Sequence, residues 1–224
     1  MSDHLNLDAL DADGAIRDAA ESAGFDRSSF LKRGAIAGGG LVAGGAIFGT
    51  LLSSAEAAIS STHRSKRNDV KILNFALTLE FLEAAFYQQA VANSAFGSSA
   101  PLQAFAETVA KHEAAHVKFL KGALGSAAIK SPKFDFGNAV TDQATFAATA
   151  EVLEDTGVHA YLGQVGNVFQ VPVLKAAGTI ATVEARHAAW IRFINGDTPA
   201  PASFDTPQSE KAILKAVTGT HFIK

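Results

Sequence analysis

The segment KHEAAHVKFL, residues 111–120, contains side chains whose types and spacing could bind a metal ion. Taken as His112-Glu113-x-x-His116, it matches the zinc-protease pattern, in which two imidazoles one helical turn apart hold the ion and the glutamate acts as base. Taken as Glu113-x-x-His116 alone, it is half of a two-metal carboxylate site, and His112 has no role in it. The rest of the chain must discriminate between these two interpretations.

A second Glu-x-x-His motif lies 71 residues further along the chain. The segments FALTLEFLE (75–83) and FAATAEVLE (146–154) share six residues in register, and the same offset superimposes EAAH (113–116) on EARH (184–187). This repetition indicates one helical hairpin that is used twice.

A duplicated hairpin of this kind has a clear chemical use. A glutamate on the first helix and Glu-x-x-His on the second is the arrangement by which a four-helix bundle builds a di-iron or di-manganese site. Four carboxylates in a core of alanine and leucine would cost many kcal/mol without partners, and two divalent cations would neutralise them. Oxygen-rich ligation with some nitrogen suits iron or manganese, although zinc can compete. The zinc-protease interpretation is disfavoured, because it leaves the second motif unexplained and needs a third ligand and a strand-lined cleft.

Composition excludes several other classes of protein. The chain has no cysteine, which rules out thiolate zinc sites, disulfides and cysteine-bound iron within this chain. The net charge of −3 gives no sign of the basic surface that nucleic acid requires. Any metal must therefore be bound through His, Asp or Glu.

Apolar residues recur at helical spacing over most of the chain after residue 68. We expect Asn68 or Asp69 to cap the first helix, Thr141 to cap the third, and Asn195-Gly196 to end the fourth. The predicted helices cover residues 69–92, 102–124, 142–169 and 172–194, with a short fifth helix near 208–218. The longest gap, residues 125–141, suits the crossover between the second and third helices of a bundle. The fold class is therefore all-α, with a four-helix bundle over 68–196 and a tail over 197–224.

Residues 1–57 differ in composition from the rest of the chain. An acidic stretch is followed by a basic patch, a Gly/Ala-rich apolar run over 34–52, and Ala55-Glu56-Ala57. This order is typical of a secretory signal, and the segment around Arg27 resembles a twin-arginine leader with Ser28 in place of the second arginine. We expect export to the periplasm or cell envelope if the leader functions. An uncleaved segment would leave the protein membrane-anchored through the apolar run, or cytoplasmic.

The segments LNFALTLEFLEAAFYQQA, AEVLEDTGVHAY and VEARHAAWI resemble the ferritin-like superfamily, and in particular its bacterial and plant desiccation-related branch. The resemblance covers residues 68–196. It implies a ferritin-like four-helix bundle that binds two metal ions, iron or alternatively manganese, and reacts with oxygen or peroxide.

The resemblance also implies specific site residues. Tyr87, seven residues after Glu80, matches the tyrosine that many such bundles hold beside the metals, where it can donate a hydrogen bond or be oxidised. On the third helix the preferred ligand is Glu151, because its 33-residue separation from Glu184 equals that of Glu80 from Glu113; Glu154 is the alternative. The implied metal ligands are Glu80, Glu113, His116, Glu151, Glu184 and His187.

Two functions are compatible with these residues. In the first, the protein is a di-metal oxidoreductase, ferroxidase- or peroxidase-like, that protects against drying or oxidative stress. In the second, it is a structural or protective bundle with a vestigial metal site, because the chain shows no cysteine centre and no flavin or haem motif to deliver electrons. A homo-oligomer is compatible with either.

Overall fold

The structure is a computed structural model that describes residues 58–224. The predicted leader and the apolar run at 34–52 lie outside the described residues. Within residues 58–224 the chain forms five α-helices and no strand, so the predicted all-α fold is confirmed. The helices are α1 (Lys66–Ala92), α2 (Ala100–Leu124), α3 (Gln143–Gln164), α4 (Val171–Asn195) and α5 (Glu210–Gly219).

The four long helices pair as two hairpins. α1 packs along α2 and α3 packs along α4, while α1–α3 and α2–α4 contacts join the hairpins. The connection between α2 and α3 contains two 3-10 turns, Gly125–Ala127 and Gly137–Val140. Between these turns, Phe134 forms an isolated antiparallel bridge with Ile223 near the C-terminus. This connection is the predicted crossover.

Side-chain caps fix where three of the four long helices begin. Ser65, Ser99 and Asp142 each accept a hydrogen bond from the backbone N–H three residues further on, which satisfies a donor that the helix leaves unpaired. α1 therefore begins three residues before the predicted start, and Asp142 rather than Thr141 caps α3. Gly196 ends α4 in the left-handed conformation with φ 87°, as predicted.

Asp69, which was predicted as a possible cap, instead joins α1 to the turn between α3 and α4. Its buried carboxylate accepts hydrogen bonds from the backbone N–H groups of Phe169 and Gln170, at 2.8 and 2.9 Å. These two residues immediately precede α4, so Asp69 satisfies donors at the end of a helix that has no side-chain cap of its own. α3 accordingly ends at Gln164, five residues before the predicted boundary.

Two hydrophobic clusters lie along the bundle. The aromatic cluster includes Phe86, Phe105, Phe136 and Phe146, whereas the aliphatic cluster includes Leu73, Leu77, Leu120 and Ile180. On α2, residues 113–116 fall between Val109 of the aromatic cluster and Leu120 of the aliphatic cluster. On α4, residues 184–187 likewise fall between Ile180 and Ile191. The residues of the two repeated motifs therefore occupy a layer in the middle of the bundle.

The C-terminal tail is held against α3 by a close backbone contact. The backbone N–H of Gln208 donates to the carbonyl of His159 at 3.1 Å, and α5 then buries Ile213 and Val217 in the aromatic cluster. A Cβ added to Gly163 would lie 1.7 Å from the carbonyl oxygen of Gln208. The tail can therefore pack this closely against α3 only because residue 163 is a glycine.

We predict that Gly163→Ala destabilises the protein by about 1–3 kcal/mol, because the added methyl group must displace backbone rather than a flexible side chain. The matched control is Gly178→Ala on α4, where no atom lies within 4 Å of the added Cβ. Alanine at residue 178 should stabilise the helix by up to about 1 kcal/mol. Urea unfolding of both variants measures the difference, and equal shifts of the same sign would show that the tail does not depend on Gly163.

Candidate metal centre

The middle layer of the bundle contains four buried glutamates and two histidines, contributed by all four long helices. The four carboxylates are fully buried at 0% exposure, and His187 is 2% exposed. Two overlapping groups of these residues could each hold a metal ion. The first group is Glu80, Glu113, His116 and Glu184, and the second is Glu113, Glu154, Glu184 and His187.

His116 lies at the centre of the first group. Its Nδ1 atom is 3.0 Å from an oxygen of Glu184 and 3.2 Å from one oxygen each of Glu80 and Glu113. A single N–H can donate to only one acceptor at a time with good geometry. One nitrogen surrounded by three carboxylate oxygens is therefore better suited to sharing a cation with them than to hydrogen bonding.

His187 has the equivalent position in the second group. Its Nδ1 atom is 3.2 Å from Glu154 Oε2, 3.3 Å from Glu113 Oε1 and 3.6 Å from Glu184 Oε2. The contacts to the two shared glutamates use the oxygens that do not face His116, which contacts Glu113 Oε2 and Glu184 Oε1. Glu113 and Glu184 thus present one oxygen to each group, which is the geometry of a bridging carboxylate.

Two further observations indicate that these nitrogen and oxygen atoms could bind metal ions. Ligands about 2.1 Å from an octahedral ion lie ~3.0 Å from their neighbours, close to most of the distances between these nitrogen and oxygen atoms. In addition, both oxygens of Glu184 and Oε1 of Glu113 are buried without a hydrogen-bond donor. A buried carboxylate oxygen without a partner is costly, and a cation in each group would satisfy all three atoms: Glu184 Oε1 in the first, and Glu113 Oε1 with Glu184 Oε2 in the second.

Two tyrosines cross-link the hairpins at this layer. The Tyr161 hydroxyl on α3 donates to Glu80 Oε1 on α1 at 2.5 Å, and the Tyr87 hydroxyl on α1 donates to Glu154 Oε1 on α3. The second oxygen of each glutamate faces a histidine, His116 for Glu80 and His187 for Glu154. The tyrosines therefore fix the rotation of the two carboxylates that are not shared.

Burial and mutual contact shift the proton equilibria of the layer. Burial raises the pKa of Glu80, and it raises the pKa of Glu154 to about 8 despite the hydrogen bond from His187. Burial by itself would lower the pKa of His116 and His187, but the surrounding carboxylates raise both to about 12. Without a metal ion, protons on the imidazoles would supply the positive charge that these carboxylates require.

The pKa of Glu113 moves in the opposite direction. Burial alone would raise it, but the imidazoles of His116 and His187 beside the carboxylate lower the pKa to about 2. Glu113 therefore stays ionised over the whole physiological range. An ionised carboxylate between two nitrogen donors is the form that can bridge two cations.

The structure corrects the prediction for the third helix. Glu151 does not join the layer; its carboxylate accepts a hydrogen bond from Asn195 at 2.7 Å and pairs with Arg192 at 3.3 Å between α3 and α4. Glu154 lies in the layer instead. The two hairpins differ by three residues in length, since 33 residues separate Glu80 from Glu113 but only 30 separate Glu154 from Glu184.

A signal in the sequence does identify Glu154. Tyr161 lies seven residues after Glu154, as Tyr87 lies seven residues after Glu80, and each tyrosine contacts the glutamate of the other hairpin. Seven residues are about two helical turns, which keeps each pair on one face. The shared spacing of tyrosine and glutamate was thus a better guide to the geometry than the constant offset of 71.

Two more residues complete the surroundings of the layer. His112, which sequence reasoning left without a role, stacks on His187 with ring centroids 5.1 Å apart, and its Nδ1 lies 2.8 Å from His187 Nε2. This contact fixes the ring so that its Nδ1 faces the carboxylates. Glu83 is buried at 3% exposure, and burial raises its pKa, but it belongs to neither group that could hold an ion.

The geometry therefore places Glu113 and His116 in a buried Glu/His cluster that could bind metal, and it does not favour the zinc-protease interpretation of residues 111–120. In the zinc-protease interpretation His112 and His116 would share one ion, whereas in the structure they take different places around the layer. His116 joins Glu80 and Glu113, and His112 lies behind His187.

Comparison with known protein families matches residues 68–197 to the ferritin-like domain. The match spans both hairpins and every residue of the two groups. No curated protein matches the chain.

We predict that chelator-treated protein loses stability as the pH rises from about 5 to 8, in part through Glu154. Its folded pKa of about 8 lies above the ordinary value of 4.5, so its stabilisation is complete below pH 4.5 and is lost as the pH rises through 8. The raised pKa values of His116 and His187 act in the same direction above pH 6.5.

Glu154→Gln should flatten this decline between pH 5 and 8, because the amide does not ionise. The matched control is Glu151→Gln three residues earlier, outside the layer, which should keep the wild-type slope. The measurement is urea unfolding in the presence of chelator at each pH. Parallel slopes for the two variants would contradict the assignment of Glu154 to the buried layer.

Proposed function

The chain belongs to the ferritin-like domain family, and from this we propose that it is a di-metal carboxylate protein that binds two iron ions, with manganese as the alternative, and oxidises them with oxygen or peroxide. The observation that carries the proposal is the sharing of Glu113 and Glu184 between the two groups. Two carboxylates that each present one oxygen to either group could hold two ions side by side. A site for a single structural ion would not need this arrangement.

Each residue of the layer has a distinct task in this proposal. Glu113 and Glu184, which belong to both groups, would be shared between the ions, Glu80 and Glu154 would each serve one ion, and His116 and His187 would each supply one nitrogen. The donor set is oxygen-rich with one imidazole for each ion, which suits iron or manganese. Four carboxylates balance the four positive charges of two divalent ions, so the loaded layer is neutral inside an apolar bundle.

When bound, the metal pair would supply electrons to reduce oxygen or peroxide. The contribution of this chain is to hold protons and exclude water. Tyr87 and Tyr161 keep their hydroxyl protons because burial raises the pKa of both well above the ordinary value. Each hydroxyl donates to an outer carboxylate, so both glutamates keep the orientation that directs their second oxygen inward. The role of Tyr87 in this proposal is therefore to position Glu154.

We also propose that the protein acts outside the cytoplasm in protection against drying or oxidative stress. The order of basic, apolar and small residues before residue 58 supports export, and the resemblance to desiccation-related proteins supports the protective role. Among the described residues no helix is long and apolar enough to cross a bilayer. Membrane association would accordingly depend on the apolar run at 34–52.

The first test is metal binding. We predict that the full chain binds about two equivalents of Fe(II), and that Glu154→Ala and Glu184→Ala each lose at least one equivalent, because each removes ligands from the layer. Glu151→Ala is the matched control and should bind as wild type, since Glu151 lies outside both groups. Elemental analysis after gel filtration measures the stoichiometry. Less than about one equivalent in wild-type protein would defeat the proposal.

The second test is the reaction with an oxidant. We predict that Fe(II)-loaded protein is oxidised by oxygen or peroxide faster than free Fe(II) at the same pH, and that Glu113→Ala abolishes the difference because it removes a bridge. Stopped-flow absorbance follows the oxidation, with Glu151→Ala again as control. If loaded wild-type protein binds two ions yet oxidises them no faster than solution does, the vestigial, structural alternative is the correct one.

A further inference from the structure

A small apolar cavity lies on the aliphatic side of the acidic layer. Its volume is about 60 Å³, and its lining is apolar except for Tyr161 and Gln164. A cavity of this size has room for water, but a water molecule needs two to four polar partners, and few are present. Such an apolar lining favours small apolar molecules such as xenon over water.

Helical spacing shows that the cavity continues directly from the acidic layer. Ala76 lines it and lies four residues before Glu80 on α1, and Ala181 lines it and lies three residues before Glu184 on α4. Residues three or four apart stack on the same helix face. The cavity therefore exists because alanines stand one turn from the glutamates, at positions where larger side chains would fill the bundle.

Tyr161 forms the wall between the cavity and the layer. It lines the cavity, and its hydroxyl donates to Glu80 Oε1 at 2.5 Å. At the other end of the cavity, Val165 and Leu174 are 49% and 37% exposed, so the lining reaches the protein surface between α3 and α4. A molecule that enters there is separated from a carboxylate of the candidate centre by one side chain.

The opposite side of the layer is closed by aromatic rings. Phe86, Phe105 and Phe146 are fully buried, and Tyr87 packs edge-on against all three. Two sides of the same layer thus differ in packing: rings fill one, and alanines leave space in the other. An approach along the bundle axis is available from the aliphatic side.

We propose that this cavity is a binding site for dioxygen on its way to the metal pair. The inference deepens the proposed function, because it selects between the two oxidants. Dioxygen is apolar and small enough for about 60 Å³, whereas hydrogen peroxide needs hydrogen-bond partners that an apolar lining does not offer. The cavity therefore concentrates dioxygen beside Tyr161 and excludes water and peroxide.

Xenon binding to the metal-free full chain tests the site without any dependence on metal. We expect ¹²⁹Xe NMR to show saturable binding to wild-type protein and its loss in Ala181→Leu, because the added carbons occupy the cavity. The matched control is Thr182→Leu, the next residue on α4, which is exposed and should leave xenon binding unchanged. Ala76→Val carries the same test on α1 if Ala181→Leu does not fold. Absence of xenon binding in wild-type protein, or equal binding in the filled variant, would overturn the proposal.

Kinetics of the Fe(II)-loaded protein then test the selection of oxidant. Ala181→Leu should slow oxidation by dioxygen about tenfold at subsaturating oxygen while leaving the rate with peroxide unchanged. Equal slowing with both oxidants, or none with dioxygen, would overturn the proposal. An organic molecule that co-purifies in the cavity, detected by mass spectrometry of a solvent extract, would also overturn it. Wild-type protein that binds xenon but no metal would contradict the proposed function and would still support an apolar gas site.

Discussion

The burial of four carboxylates in one layer of an apolar bundle is the constraint on which the rest of this structure depends. Two like charges 4 Å apart repel by on the order of 4 kcal/mol at an effective dielectric constant of about 20, and the layer contains several such pairs. The fold cannot meet this repulsion by exposure, because the carboxylates of Glu80, Glu113, Glu154 and Glu184 are fully buried. The repulsion must therefore be relieved inside the layer, either by protons on Glu80, Glu154, His116 and His187, whose pKa values are all raised, or by metal ions.

The two hydrophobic clusters supply the apolar packing that stabilises the bundle, because the buried carboxylates of the acidic layer do not. The aromatic cluster fills its side with rings from α1, α2 and α3 and with side chains from α5, and the tail reaches it only because Gly163 lets the backbone pass. The aliphatic cluster is built from smaller side chains and leaves a cavity beside Tyr161. The aromatic packing thus lies on the side of the layer away from the cavity, and the cavity lies on the other side.

The fold and most of the centre follow from local patterns in the sequence. The repeated Glu-x-x-His motifs gave Glu113, His116, Glu184 and His187 because residues three apart must share a helix face, whatever the tertiary packing. Glu151 was wrong as a member of the layer because a constant offset assumes that both hairpins have equal length. The α3–α4 hairpin is three residues shorter between its glutamates, and only the docked hairpins show how the chain absorbs that difference.

Long-range contacts set the features that local patterns could not predict. His112 reads as a surface histidine on α2, and its contact with His187 exists only after α2 and α4 have packed together. The sequence predicts Asp69 as a helix cap, but its carboxylate accepts hydrogen bonds from backbone N–H groups a hundred residues away, just before α4. In both cases the sequence shows a polar side chain that could bind a partner, but which partner it contacts depends on how the helices pack together.

Hydrogen bonds from each tyrosine to a glutamate of the other hairpin link the candidate metal centre to the packing of the two hairpins. Tyr87 and Tyr161 each orient a glutamate of the other hairpin, and the shared glutamates Glu113 and Glu184 also come from different hairpins. No single hairpin therefore contains a complete group for either ion. The two hairpins must dock before either ligand group is complete, so any metal bound there would add its binding free energy to the free energy of folding. The same coupling would explain why a layer of mutually repelling carboxylates can lie at the interface that holds the bundle together: cations bound in the layer would neutralise it and also join the two hairpins.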